Sequence, residues 1–194
     1  MKINLASKIT LSRIVLSLIL IVLMLVSLVN PISTLILGTI FAVAAFTDKL
    51  DGYIARSRNQ VTDFGKVTDA IADKILVTPI LFIMAISGML FDSIVISMAI
   101  PLLIFFRDEI VNNVKTIASS KGPVVAASNL GKAKTAFMMV GMSILMFGFQ
   151  YYLGEFGVIL NMIGQILVLI ATALSIISGV EYWNNNKKYI FDTK

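Results

Sequence analysis

Long apolar runs, broken at intervals by turn-forming or charged clusters, make up almost the whole of this chain. The runs near residues 9–30, 33–55, 64–90, 93–117, 131–153 and 158–182 are each long enough to cross about 30 Å of hydrocarbon as a helix. Helices are the expected form, because a backbone in lipid must satisfy its hydrogen bonds within its own segment. The pattern therefore predicts an all-α integral membrane protein of six transmembrane helices, folded as a single domain over residues 1–194. The first run follows a basic N-terminus as a signal peptide would. It is too long for such a segment and lacks a small-residue cleavage site, so it reads as a retained span.

Charge placement orients the predicted spans. The short turns at Asn30-Pro31, Gly88 to Asp92 and Gly154 to Gly157 contain Asp92 and Glu155 but no Lys or Arg. All 16 basic residues fall at or near the opposite ends: Lys2, Lys8 and Arg13; Lys49, Arg56, Arg58, Lys66 and Lys74; Arg107 through Lys134; and Lys187, Lys188 and Lys194. The positive-inside rule then places both termini on the cytoplasmic side of a cell membrane. Ser119 to Asn129 is the longest polar connection and reads as a cytoplasmic loop.

Composition narrows the chemistry. With 58% hydrophobic and 14% charged residues, a soluble fold is excluded. Without cysteine there is no disulfide framework or thiolate chemistry, and without histidine a general base must be a carboxylate or, as a weaker choice, a Lys or Tyr. No internal repeat is visible, which weighs against an inverted-repeat transporter. Membrane lipids are the expected surroundings, and no partner role for nucleic acid is expected.

Four carboxylates stand out against this background. Asp48 and Asp51 are three apart and Asp69 and Asp73 four apart, spacings that stack side chains on one helix face. Asp48, Asp51, Gly52 and Ala55 would form one stripe and Gly65, Asp69 and Asp73 another. An Asp at the centre of a membrane helix costs roughly 2.5–3.5 kcal/mol, so four of them require cations and a polar helix end. Pairing with Lys49, Arg56, Lys66 and Lys74 would account for one couple but hardly for all. Oxygen-only donors favour Mg²⁺, Mn²⁺ or Ca²⁺ over zinc, and four carboxylates suit two ions about 4 Å apart. A divalent-cation transporter would also want such groups, but it would need carboxylates continuing across the membrane, and they do not continue.

The full string D-x2-D-G-x2-A-R-x8-G-x3-D-x3-D, from Asp48 to Asp73, resembles the signature of the CDP-alcohol phosphotransferase family, whose members exchange CMP for an alcohol at a di-metal site in the membrane. Asn4-Leu5-Ala6-x3-Thr10-x2-Arg13, Arg107-x-Glu109 and Gly131-Lys132-x-Lys134-Thr135 are similar to its bacterial members that use a phosphorylated glycerol acceptor. Ser7 stands where those members usually have Asn, and Ala70 where many have Pro. The resemblance implies CDP-diacylglycerol as donor, two Mg²⁺ or Mn²⁺ ions, a homodimer, and a site facing the cytoplasm from the plasma membrane. It further implies that Asp48, Asp51, Asp69 and Asp73 ligate metal and that Asp73 is also the catalytic base.

The same resemblance places Thr10, Arg13, Gly52, Ala55, Arg56 and Gly65 around the CDP-lipid. On physical grounds Gly52 and Ala55 either admit the diphosphate to the helix backbone or simply pack, and Arg56 either forks onto a phosphate or snorkels to the interface. Arg107, Lys115, Lys132 and Lys134 gather near the ends of the fourth and fifth spans as a candidate acceptor-phosphate pocket, although topology alone also enriches such positions in Lys and Arg. A basic pocket suits glycerol 3-phosphate and argues against serine, choline or ethanolamine. Inositol phosphate, or phosphatidylglycerol as acceptor, stays open.

Overall fold

The computed structural model describes residues 5–26, 31–57, 63–121 and 129–191, with side chains at 5–7, 31–32, 48–57, 63–64, 66, 119–121, 129 and 188–191 outside the description. Among the described residues the chain forms α1 (Leu5–Val26), α2 (Pro31–Ser57), α3 (Asp63–Ile86), α4 (Ile94–Lys121), α5 (Asn129–Phe147) and α6 (Gly154–Phe191), with a 3₁₀ turn at Phe149–Tyr151 between the last two. No strand occurs among them. Helix α2 starts on Pro31, whose fixed φ and missing N–H suit a first helical turn. The turn after α5 rests on Gly148 at φ 60°, and a side chain there would strike Thr34 of α2.

The apolar runs located the helices better than they located helix ends. Helix α6 runs 38 residues, about 57 Å at 1.5 Å per residue, and continues through Asn184 to Lys187 beyond the expected end at 182. Polar residues end an apolar stretch without breaking a helix. Among the described residues three segments are long and apolar enough to cross a membrane: Lys8–Val26, Leu130–Tyr151 and Gly154–Lys187. Helices α3 and α4 divide differently, each with an apolar half and a half carrying charge, around Asp69 to Lys74 and Arg107 to Lys115.

Among the described residues α1 lies against α2 and α3, α5 against α2 and α6, and α4 against α3 and α6. Leu20, Phe41, Leu76, Ile80, Met84, Met142, Met146 and Val168 are buried at this junction. Met138 and Met139 are buried as well. Small residues permit the close crossings: a Cβ on Gly141 would lie 3.0 Å from the Gly164 carbonyl oxygen, and one on Gly38 would lie 2.8 Å from the Phe147 backbone nitrogen. Outward positions are apolar too, as at Val22, Leu25, Phe46, Phe106 and Ile166, the inverse of a soluble surface. The charged halves of α3, α4 and α5 meet at one end of this assembly and form the candidate site.

Candidate functional site

The acidic side of the site is built by α1 and α3. Asp69 and Asp73 sit one helical turn apart on α3, with side chains 48% and 47% exposed. Arg13 comes from α1 and is fully buried at its side chain. Its Nη1 donates to Asp73 Oδ1 at 3.4 Å and lies 3.6 Å from Asp69 Oδ1, so both carboxylates face one cationic atom. A buried guanidinium is tolerable only with such partners. Thr10 is buried one turn earlier on the same helix, and Ser17 Oγ donates to the Arg13 carbonyl one turn later. Gly65 is half-buried in the first turns of α3.

Asp48, Asp51, Gly52, Ala55 and Arg56 all lie within the continuous helical backbone of α2, which preserves their three- and four-residue register. Their side chains fall outside the described residues. Among the described residues no group of three or more acidic side chains comes together, a count that leaves out Asp48 and Asp51. The donor set is nevertheless suited to a hard divalent cation. It offers oxygen alone, and the Asp69 and Asp73 carboxylates already turn toward a common positive atom while staying half open to ligands.

The basic side is a cavity of about 730 Å³ between α3, α4, α5 and α6. Its polar wall is formed by Asp73 and Lys74 of α3, Arg107, Asp108 and Lys115 of α4, and Lys134 of α5, while Met138, Met139 and Ala171 give it an apolar floor. Asp73 is thus common to the acidic pair and the basic cavity. Of the residues expected to hold an acceptor phosphate, Arg107, Lys115 and Lys134 line the cavity. Lys132 is exposed and is absent from the lining.

Counter-charges organise this wall. Asp108 Oδ1 accepts from Arg107 Nη1 at 2.7 Å and from Lys134 Nζ at 2.6 Å, and Lys74 Nζ donates to Glu109 Oε1 at 2.6 Å. Helix α6, to which sequence reasoning assigned no site residue, holds the rest of Arg107. The Arg107 Nε donates to the Ser175 carbonyl at 2.8 Å and Nη2 donates to Ser178 Oγ at 2.7 Å. Ser175, Ser178 and Gly179 are buried there. Their signal in the sequence was present but faint: two serines three apart, followed by glycine, in an otherwise apolar stretch.

Comparison with known proteins bears on what this arrangement serves. The family model described as CDP-alcohol phosphatidyltransferase matches residues 3–177. The chain is similar to a CDP-diacylglycerol–glycerol-3-phosphate 3-phosphatidyltransferase of Rickettsia bellii, 35% identical over 186 residues that cover 96% of this chain and 97% of the relative. A protein of the same name from Bacillus subtilis is 33% identical over 194 residues, covering 94% of this chain and 95% of the relative. Another from Mycoplasma genitalium is 33% identical over 162 residues, 81% of this chain and 66% of the relative.

Proposed function

This chain belongs to the CDP-alcohol phosphatidyltransferase family, and on that premise we propose that it transfers the phosphatidyl group of CDP-diacylglycerol to sn-glycerol 3-phosphate, releasing CMP and forming phosphatidylglycerophosphate. Family membership sets aside the cation transporter. The acceptor assignment is supported by the names of the relatives and carried by one observation, the meeting of Asp73 with Arg107, Lys115 and Lys134 around a single cavity. The lining carries four cations, Lys74, Arg107, Lys115 and Lys134, and two carboxylates, Asp73 and Asp108, with Glu109 pairing Lys74 beside it. The positive charge left in excess complements a phosphate monoester, which carries about −1.5 to −2 at neutral pH. A neutral alcohol would leave that surplus without its anion.

In the proposed reaction the acceptor's phosphate rests against the basic wall, and its hydroxyl points toward Asp73. The Asp73 carboxylate takes the hydroxyl proton as the oxygen forms its bond to the lipid-side phosphorus, and the phosphorus–oxygen bond to CMP breaks. Asp48, Asp51, Asp69 and Asp73 would hold two divalent ions, Mg²⁺ or Mn²⁺, whose charge would neutralise the diphosphate and the departing phosphate. Arg13 keeps Asp69 and Asp73 oriented from below. With Thr10, Gly52, Ala55, Arg56 and Gly65, it belongs to the proposed CDP-lipid side. The apolar outer faces and the basic ends support a plasma-membrane protein of six crossings, with termini and site toward the cytoplasm, and a homodimer is the proposed assembly.

The test is CMP release by purified protein supplied with CDP-diacylglycerol and a panel of alcohols, with and without Mg²⁺ or Mn²⁺. Glycerol 3-phosphate should react fastest. Equal turnover of glycerol or serine would remove the acceptor assignment and leave family membership intact. Faster turnover of inositol phosphate or phosphatidylglycerol would replace it.

A further inference from the structure

Arg107 has five N–H donors in a planar fork, and three are engaged by protein groups: Nε by the Ser175 carbonyl, one on Nη2 by Ser178 Oγ and one on Nη1 by Asp108. The Nε–H and one Nη2–H share a single edge of the guanidinium. Helix α6 therefore grips one whole edge of the fork, and one N–H remains on each of Nη1 and Nη2. Gly179 completes the grip from the side of the stem. A Cβ there would lie 2.8 Å from Arg107 Cγ and 3.0 Å from Nε, so any side chain at this position must push Arg107 out of place. Cγ is close to the helix backbone and cannot swing aside as a flexible tip would.

We propose that Ser178 and Gly179 are positioning residues that hold Arg107 in the orientation the acceptor's phosphate requires, and so set the enzyme's preference for phosphorylated alcohols. The inference rests on the acceptor reading above. A long, rotamer-rich side chain loses much freedom on binding an anion, and pre-orienting it removes that cost from the binding step. The residual Nη1–H and Nη2–H remain as donors for the phosphate oxygens. Asp108, which bridges Arg107 and Lys134 through one oxygen, keeps the two cations close together in the absence of that phosphate. The α6 residues touch Arg107 and act through it.

The consequence is a split between substrates. Orientation of a group that binds the acceptor equally in ground and transition states changes KM for the acceptor and leaves kcat and the donor's KM nearly unaltered. In Ser178→Ala and Gly179→Ala proteins, KM for glycerol 3-phosphate should rise roughly fivefold to tenfold, the effect of about one neutral hydrogen bond's worth of alignment. KM for CDP-diacylglycerol and kcat should stay within about twofold. Arg107→Ala should raise the same KM, and adding Gly179→Ala to that variant should change nothing further, because the group it displaces is gone.

Steady-state CMP release with each substrate varied in turn decides the matter. Equal rises in both KM values, a fall confined to kcat, or additive effects in the double variant would overturn the inference and show that the α6 contacts are only structural. If the parent enzyme prefers another phosphorylated alcohol, the acceptor reading falls while the same split, measured on that alcohol, still decides the inference. If the parent turns over only uncharged alcohols, both fall.

Discussion

The two halves of the site handle charge in opposite ways. On the acidic side one buried arginine, Arg13, faces two half-exposed carboxylates, and two further aspartates lie in the register of α2. Among the described side chains negative charge outnumbers positive there, as a site for hard cations needs. On the basic side Asp108 and Glu109 face Lys74, Arg107, Lys115 and Lys134, and positive charge is left over. Asp73 stands where the two meet. Each half is partly neutralised by its own counter-ions, which makes it tolerable in an apolar surrounding, yet each is left incomplete by the sign of charge its proposed ligand would supply.

The contrast predicts that damage to the acidic half stops chemistry whereas damage to the basic half weakens acceptor binding. The largest effect should come from removing divalent cations. Exhaustive chelation should reduce CMP release to background, and Mg²⁺ or Mn²⁺ should restore it; full activity after chelation would break the comparison at its first term. Next in size, Asp73→Asn should lower kcat by about 10²–10⁴, the usual worth of a positioned base, while CDP-diacylglycerol binding persists in a direct binding assay. Near-normal turnover would move the base elsewhere.

The basic half should respond more gently and more selectively. Arg107→Ala removes a charge-assisted contact worth about 1.5–3 kcal/mol, so KM for glycerol 3-phosphate should rise roughly tenfold or more. The donor's KM should change much less. A parallel rise in both would mean that Arg107 serves the fold alone. The smallest effect separates two lysines that look alike in the sequence. Lys134 lines the cavity and bonds Asp108, whereas Lys132 is exposed and lies outside the lining. Lys132→Ala should therefore leave acceptor KM within about twofold, as expected of a solvated charge. Lys134→Ala should raise it several-fold, and the reverse order would mean that the cavity wall is drawn wrongly.

Much of this molecule was legible from local pattern. The Asp48-to-Asp73 string required only that its two stretches be helical, since a period of 3.6 residues then places the members of each pair on one face, and α2 and α3 are helical through them. The apolar runs likewise foretold where helices begin, to within about one turn. They misjudged the end of α6 because hydropathy reports the surroundings of a segment and not its backbone.

What lay beyond the sequence was the pairing of faces. Arg13 meets a carboxylate 60 residues away, and Arg107 bonds a carbonyl and a hydroxyl 68 and 71 residues away. Neither spacing carries a signal, because helices in an apolar surrounding are apolar on both inner and outer faces and hydropathy no longer tells them apart. The choice between Lys132 and Lys134 is likewise made by how α5 is rotated against α4 and α6. That rotation follows from close crossings at small residues such as Gly141 and Gly164, a matter of shape between segments distant in the chain. Local helix geometry and the cost of charge in lipid therefore made the segments and the carboxylate register readable from the chain itself, and only the packing of one helix on another decided which charges would meet.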